Sequence, residues 1–153
     1  MQPRAPFLLV AVHAAATWFM TGLVWFVQMV HYPLFSMVDG AGFAAYEQAH
    51  TVRTTWVVAP VMLIELATAL LLFRYRMPRG ELMLGAGLLA VVWGSTFLLQ
   101  VPRHEILSMG FDDVAHGGLV ATNWIRTVAW SARGVVAMRM LNANFRSSPR
   151  GAG

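Results

Sequence analysis

Four apolar stretches, at about residues 7–30, 54–73, 82–101 and 118–141, occupy most of this chain of 153 residues and restrict its fold more than any other feature. A helix needs roughly 20 mainly apolar residues to cross a hydrocarbon layer about 30 Å thick, so four such runs leave little chain for anything else. Composition agrees. Apolar residues make up 58% of the chain and charged ones 12%, and the mean hydropathy is +0.58, too apolar for a water-soluble domain of this size. The sequence predicts an all-α integral membrane protein, an up-and-down four-helix bundle over residues 1–144. The first run is longer than the apolar region of a secretion signal and is followed by His31-Tyr32-Pro33 instead of a small-residue cleavage site, so it is read as a retained helix.

Charge sets the expected orientation. All 11 positive residues are arginine. The N-terminus, the loop "RYRMPRGE" and the C-terminal tail share one side of an up-and-down bundle, with Arg4, Arg74, Arg76, Arg79, Arg139, Arg146 and Arg150. The positive-inside rule puts both termini in the cytoplasm. The pI near 10.7 comes from these helix-end arginines, and no basic run with interleaved aromatics points to nucleic acid. With no cysteine, disulfides, thiolate metal sites and cysteine nucleophiles are excluded. No glycine-rich phosphate loop, nucleophile elbow or Ser-His-Asp spacing occurs.

The opposite side collects the histidines. His31 ends the first run, His50 opens the second, His104 follows the third and His116 precedes the fourth, with Glu47 and Glu105 on the same side. In a bacterial inner membrane this is the periplasmic face. Phe43, Tyr46 and His50 recur at helical spacing, which predicts a short interfacial helix at about 40–50, with Glu47 and His50 on one face. Glu-x-x-His on a helix is a metal-ligand spacing, but a dinuclear four-helix site needs it twice and it occurs once here. A mononuclear site built from His31, Glu47, His50 and His104 would suit iron, copper or zinc, and the histidines could alternatively hold haem. The other reading makes these residues interfacial hydrogen-bonding groups where helix ends meet water.

A second constellation lies deeper. Glu65 falls about eleven residues into the second run, ~16 Å from its start, where a carboxylate is costly unless paired or protonated. Arg126 in the fourth run is at compatible depth and is the expected partner, with Arg133 as the alternative. Glu65 and Arg126 are also the candidate catalytic pair, with Asn123 and Trp124 expected to line a substrate pocket beneath the metal. His13 shares a helix face with His31 but lies ~27 Å away along the axis, so the two cannot ligate one ion, and a helix-packing role is expected. Gly85 and Gly87 are expected to allow close helix contact. Residues 145–153 read as a flexible polar tail.

The segment "TNWIRTVAWSARG", residues 122–134, resembles the N-x-x-R-T segment of small four-helix membrane proteins that include the anthrone-oxygenase-like family. The resemblance implies an oxygenase acting on polycyclic aromatic or similar lipophilic substrates, and it carries over Asn123 and Arg126. More distantly, "WFMTGLVWFVQMVHYPLF" followed by "FAAYEQAHTVRTTWVVAPVM" is similar in layout to the small haem-binding protoporphyrinogen oxidases of bacterial membranes. The function expected from all of this is a membrane redox or oxygenase-type enzyme with a metal or haem at the non-cytoplasmic face, acting on a lipophilic small molecule. The alternative is a non-catalytic lipophile-binding module, or a subunit of a membrane complex or homo-oligomer. A small transporter is the weakest reading, since no inverted repeat is visible.

Overall fold

A computed structural model of the protein describes residues 3–146. Every regular element in that range is helical. Helix α1 (Phe7–Phe26) runs through a π-helical turn, Val27–His31, into a 3-10 turn, Pro33–Met37. Helix α2 (Gly40–Leu72) returns along it. Helix α3 (Arg79–Ser95) passes through a second π-helical turn, Thr96–Gln100, into α4 (Val101–Leu107), and α5 (Asp113–Arg146) closes the bundle. Three of the four long helical spans, Phe7–Met37, Gly40–Leu72 and Arg79–Leu107, are long and apolar enough to cross a membrane.

The element bounds differ from the expected ones for local reasons. The expected short helix at about 40–50 is the first part of one continuous 33-residue α2, because the Ala, Glu and Gln of this stretch are good helix formers and nothing interrupts them. Pro33 and Pro102 do not simply end helices. Each lacks an N–H and crowds the carbonyl four residues back, and each comes after a π-helical turn that widens the coil just before it. In the first turn the Tyr32 N–H reaches the Val27 carbonyl at 3.0 Å. Gly110, at φ 149°, turns the chain after α4, and the Asp112 carboxylate then caps α5 by accepting from the Ala115 N–H at 2.7 Å. Helix α5 takes in Phe145 and Arg146 of the expected tail, and the remainder of that tail lies outside the described residues.

Helix α5 is the least apolar of the long helices, yet it packs against both α1 and α3. Its inward stripe, Asn123, Arg126, Thr127, Trp130, Arg133, Gly134 and Ala137, has helical spacing and is buried. Three apolar clusters lie along the bundle axis. One surrounds Val10, Leu72 and Met140, one Met20, Met62 and Trp130, and one Phe35, Phe43 and Leu119. The outward faces remain apolar, with Phe26, Trp56, Leu70, Leu98 and Val128 all exposed.

A polar layer separates the first two clusters. Glu65, fully buried, accepts from Thr17 Oγ1 at 2.8 Å, from Arg133 Nε at 2.9 Å and from Trp130 Nε1 at 3.1 Å. Arg133 also donates to the Gly85 carbonyl, which it reaches because α3 and α5 approach closely there: a Cβ on Gly85 would lie 3.6 Å from Val136. His13 Nδ1 bonds Thr68 Oγ1 at 2.9 Å at the edge of this layer. The expected Glu65–Arg126 pair is therefore corrected to Glu65–Arg133. The two arginines share a face two turns apart, and the relative height of α2 and α5 brings the deeper one to Glu65.

Removing one member of this pair leaves the other as an uncompensated buried charge. Glu65→Ala is expected to lower stability by about 3–5 kcal/mol, with the double variant Glu65→Leu, Arg133→Met recovering most of the loss. Thermal unfolding in detergent measures both, and equal midpoints for wild type and Glu65→Ala would show that the pair does not hold the bundle.

Candidate metal centre

The two π-helical turns lie at the same end of the bundle, and each delivers site residues. The first ends in His31 and leads into Tyr32, and the second leads into His104 one turn on. Their partners come from the start of α2, where Glu47 and His50 are one turn apart on its inner face. The four residues expected as ligands, His31, Glu47, His50 and His104, are thus brought to one end of the bundle from three different helical segments.

Glu47, His50 and His104 each offer a ligand atom, and all three atoms lie within 4.8 Å of one another. Glu47 Oε1 is in direct hydrogen-bonding contact with His104 Nδ1, and His104 Nε2 bonds the Tyr32 hydroxyl at 3.0 Å. His31 stands just outside the trio, its Nε2 2.8 Å from His50 Nδ1, and Thr54 Oγ1 lies 3.1 Å from the same nitrogen. Phe35 packs edge-on against both His31 and His50, at 5.1 and 5.2 Å between ring centres. His116 stays apart from the cluster. Its Nε2–H donates to the Tyr32 carbonyl at 2.8 Å and so holds the 3-10 turn in place.

Glu47 is buried completely, and its second oxygen, Oε2, has no hydrogen-bond partner among the described residues. No arginine among them lies within ion-pair distance of it, and His104 is its only basic contact there. A buried carboxylate oxygen without donor or cation is costly by about 1–3 kcal/mol or more, since desolvation is uncompensated. The arrangement suits a bound cation. Two imidazoles and one carboxylate, converging and leaving positions open, are the donor set of mononuclear non-haem iron sites and also of some zinc sites.

The cluster opens onto a cavity of about 510 Å³ between α2 and the α3–α4 segment, the two neighbours in the bundle that touch least. His50, His104, Tyr32 and Arg126 line its polar end. Val58, Met62, Leu63, Trp93 and Phe97 form most of its apolar wall, and Thr54, Thr96, Gln100 and Glu105 also reach it. Glu65, expected in this cavity, is not among its lining residues. It is enclosed in the deeper layer and saturated by the chain's own donors.

The expected pocket pair is corrected as well. Trp124 points outward, 41% exposed, with its ring edge-on to Trp25 at 5.6 Å, because it sits one residue off the inward stripe of α5. Asn123 stands behind the cavity wall. Its Nδ2 donates to Gln28 Oε1 at 3.0 Å, and its Oδ1 accepts from Arg126 at 3.2 Å, so it positions the arginine. Gln28 is itself anchored by donating to the Val120 carbonyl at 3.2 Å. Sequence reasoning missed Tyr32, Gln28 and Gln100, whose Nε2 donates to Thr122 Oγ1 at 2.9 Å and which also lines the cavity. Two signals were present: Tyr32 adjoins His31 and Pro33, and both glutamines interrupt apolar runs.

In comparisons with known proteins, no family model matches the chain, and no curated protein or solved structure is significantly similar to it.

The chain of bonds behind Arg126 is testable. Gln28→Leu removes the acceptor of a buried amide, and a loss of about 1–3 kcal/mol is expected in thermal unfolding. Unchanged stability would show that Asn123 and Arg126 hold their places without Gln28.

Proposed function

We propose that this protein is an integral membrane four-helix bundle that binds a single transition-metal ion through Glu47, His50 and His104 and uses it in redox or oxygenase-type chemistry on a lipophilic molecule. The observation that carries the reading is the unpartnered Glu47 Oε2, buried beside two converging imidazoles. Iron fits this donor set best, since two histidines and one carboxylate with open positions suit oxygen chemistry. Ligand atoms held so close together favour a bare ion over haem. The resemblance of the Asn123–Arg126 segment to anthrone-oxygenase-like proteins points to the same reaction class.

Membrane insertion is supported by the three apolar spans and by the apolar outward faces. Helix α5 crosses with them in this reading, because its mid-span charges are turned inward and Arg133 is paired. The arginine-rich end, with Arg74, Arg76, Arg79, Arg139 and Arg146, is the cytoplasmic one, and the metal lies at the opposite face, periplasmic in a bacterial inner membrane. The gap between α2 and α3 then opens sideways to the bilayer, where a lipophilic substrate is dissolved.

One observation favours a second reading, a non-catalytic module. The bonds Glu47–His104–Tyr32 and His31–His50–Thr54 occupy most of the histidine nitrogens without an ion. Elemental analysis of protein purified in mild detergent, without chelator or histidine tag, decides between the two. A bound metal is expected, with occupancy falling by more than about tenfold in His50→Ala and His104→Ala, as loss of a ligand requires. Circular dichroism should show the helices intact. A metal-free wild type, or variants with unchanged occupancy, would overturn the metal reading in favour of the module.

A further inference from the structure

Arg126 is a buried cation without a counter-ion. It is 8% exposed, and no carboxylate among the described residues lies within ion-pair distance of it. Glu65 is taken by Arg133, and Glu47 contacts His104. One Nη of Arg126 donates to Asn123 Oδ1 at 3.2 Å, its guanidinium carbon lies 5.3 Å from the centre of the Trp130 ring, and it faces the Tyr32 hydroxyl. Its Nε–H has no partner among the described residues. Neutral acceptors and an aromatic face offset only part of the cost of burying this charge, and an anion would complete the site.

The place where that anion would sit is open. Arg126 lines the same cavity as His50 and His104, and the walls are mainly apolar, with Thr96 and Gln100 among the polar exceptions and one carboxylate, the exposed Glu105. The cavity runs along α2 from His50 to Leu63, roughly 20 Å at the helical rise, and its ~510 Å³ is a usual size for a small-molecule site. A guanidinium fork matches a carboxylate through two parallel N–H bonds, one of them commonly from Nε. We propose that the cavity takes a lipophilic carboxylate, its head held by Arg126 and its apolar tail lying along the groove between α2 and α3. Tyr32, bonded to His104 and facing Arg126, then sets the head of the bound molecule beside the candidate metal ligands. This inference rests on the lipophile-binding part of the proposed function and deepens it, without depending on the metal.

The test uses the full chain in a non-ionic detergent, titrated calorimetrically with dodecanoate and with its neutral counterpart dodecanol, before and after treatment with a chelator. Dodecanoate is expected to bind about tenfold more tightly or better, the usual worth of a hydrogen bond to a charged group, in both metal states. Arg126→Gln should bind the two probes equally. Arg126→Lys, which keeps the charge and loses the fork, should retain part of the preference and stands in should the glutamine variant fail to fold. Equal affinities in the wild type would overturn the proposal. So would a preference that survives in Arg126→Gln, or one that disappears with the metal, since the ion and not Arg126 would then hold the carboxylate. A metal-free protein that still prefers dodecanoate would remove the metal reading and leave this one standing, and a metal-bearing protein without the preference would do the reverse.

Discussion

The Glu65–Arg133 pair fixes how the helices of this bundle stand relative to one another. In an interior of low dielectric neither charge is stable alone, so α2 and α5 must slide until they meet. Once they do, helical geometry settles what happens far away. Glu47 lies 18 residues before Glu65, about five turns and ~27 Å along the same face of α2, so a pairing within the bundle aims a second carboxylate inward near one of its ends. Arg126 lies two turns from Arg133 on α5, and the same register raises it out of Glu65's reach and into the cavity wall. The candidate site is thus held in register by a contact it does not include.

The all-helical architecture was legible in the sequence, because long apolar runs separated by polar turns are a strong signal, and three of the helical spans are long and apolar enough to cross a membrane. The gathering of His31, Glu47, His50 and His104 was legible for a related reason: an up-and-down path returns alternate loops to one end. What was illegible depended on small displacements. Arg126 and Arg133 share a face, and only the relative height of two helices decides which one meets Glu65. Trp124 adjoins Asn123 in sequence, but one residue is ~100° of rotation, enough to move a side chain from the core stripe to the outer surface. That stripe could have been read from the spacing of Asn123, Arg126, Thr127, Trp130 and Arg133, with Trp124 off it.

The π-helical turns were hidden for another reason. A proline marks trouble for a helix but does not say whether the helix stops, bends or widens. Here both prolines come after a widened turn, and the helical path continues past it. The extra residue in each coil rotates the next part of the chain, which carries Tyr32 in one case and His104 in the other. Both belong to the polar cluster, in keeping with the tendency of such turns to occur at functional sites.

The two polar layers of this bundle have the same ingredients and opposite bookkeeping. In the deeper layer a carboxylate meets a guanidinium, a threonine and an indole N–H, the carboxylate has no oxygen left over, and the one guanidinium nitrogen without a hydrogen bond, Arg133 Nη2, still lies 2.9 Å from the Glu65 carboxylate. In the outer layer, among the described residues, a carboxylate keeps one oxygen unpartnered and a guanidinium keeps its Nε–H unpartnered, with no ion pair between them. A bundle that needed only internal cohesion would join these two charges as it joins Glu65 and Arg133, since each is costly alone. Keeping an acid and a base apart at the end of an apolar cavity makes physical sense if each has a separate partner, a cation for Glu47 and an anion for Arg126. The contrast between the layers, more than the presence of histidines, is what the proposed binding site rests on.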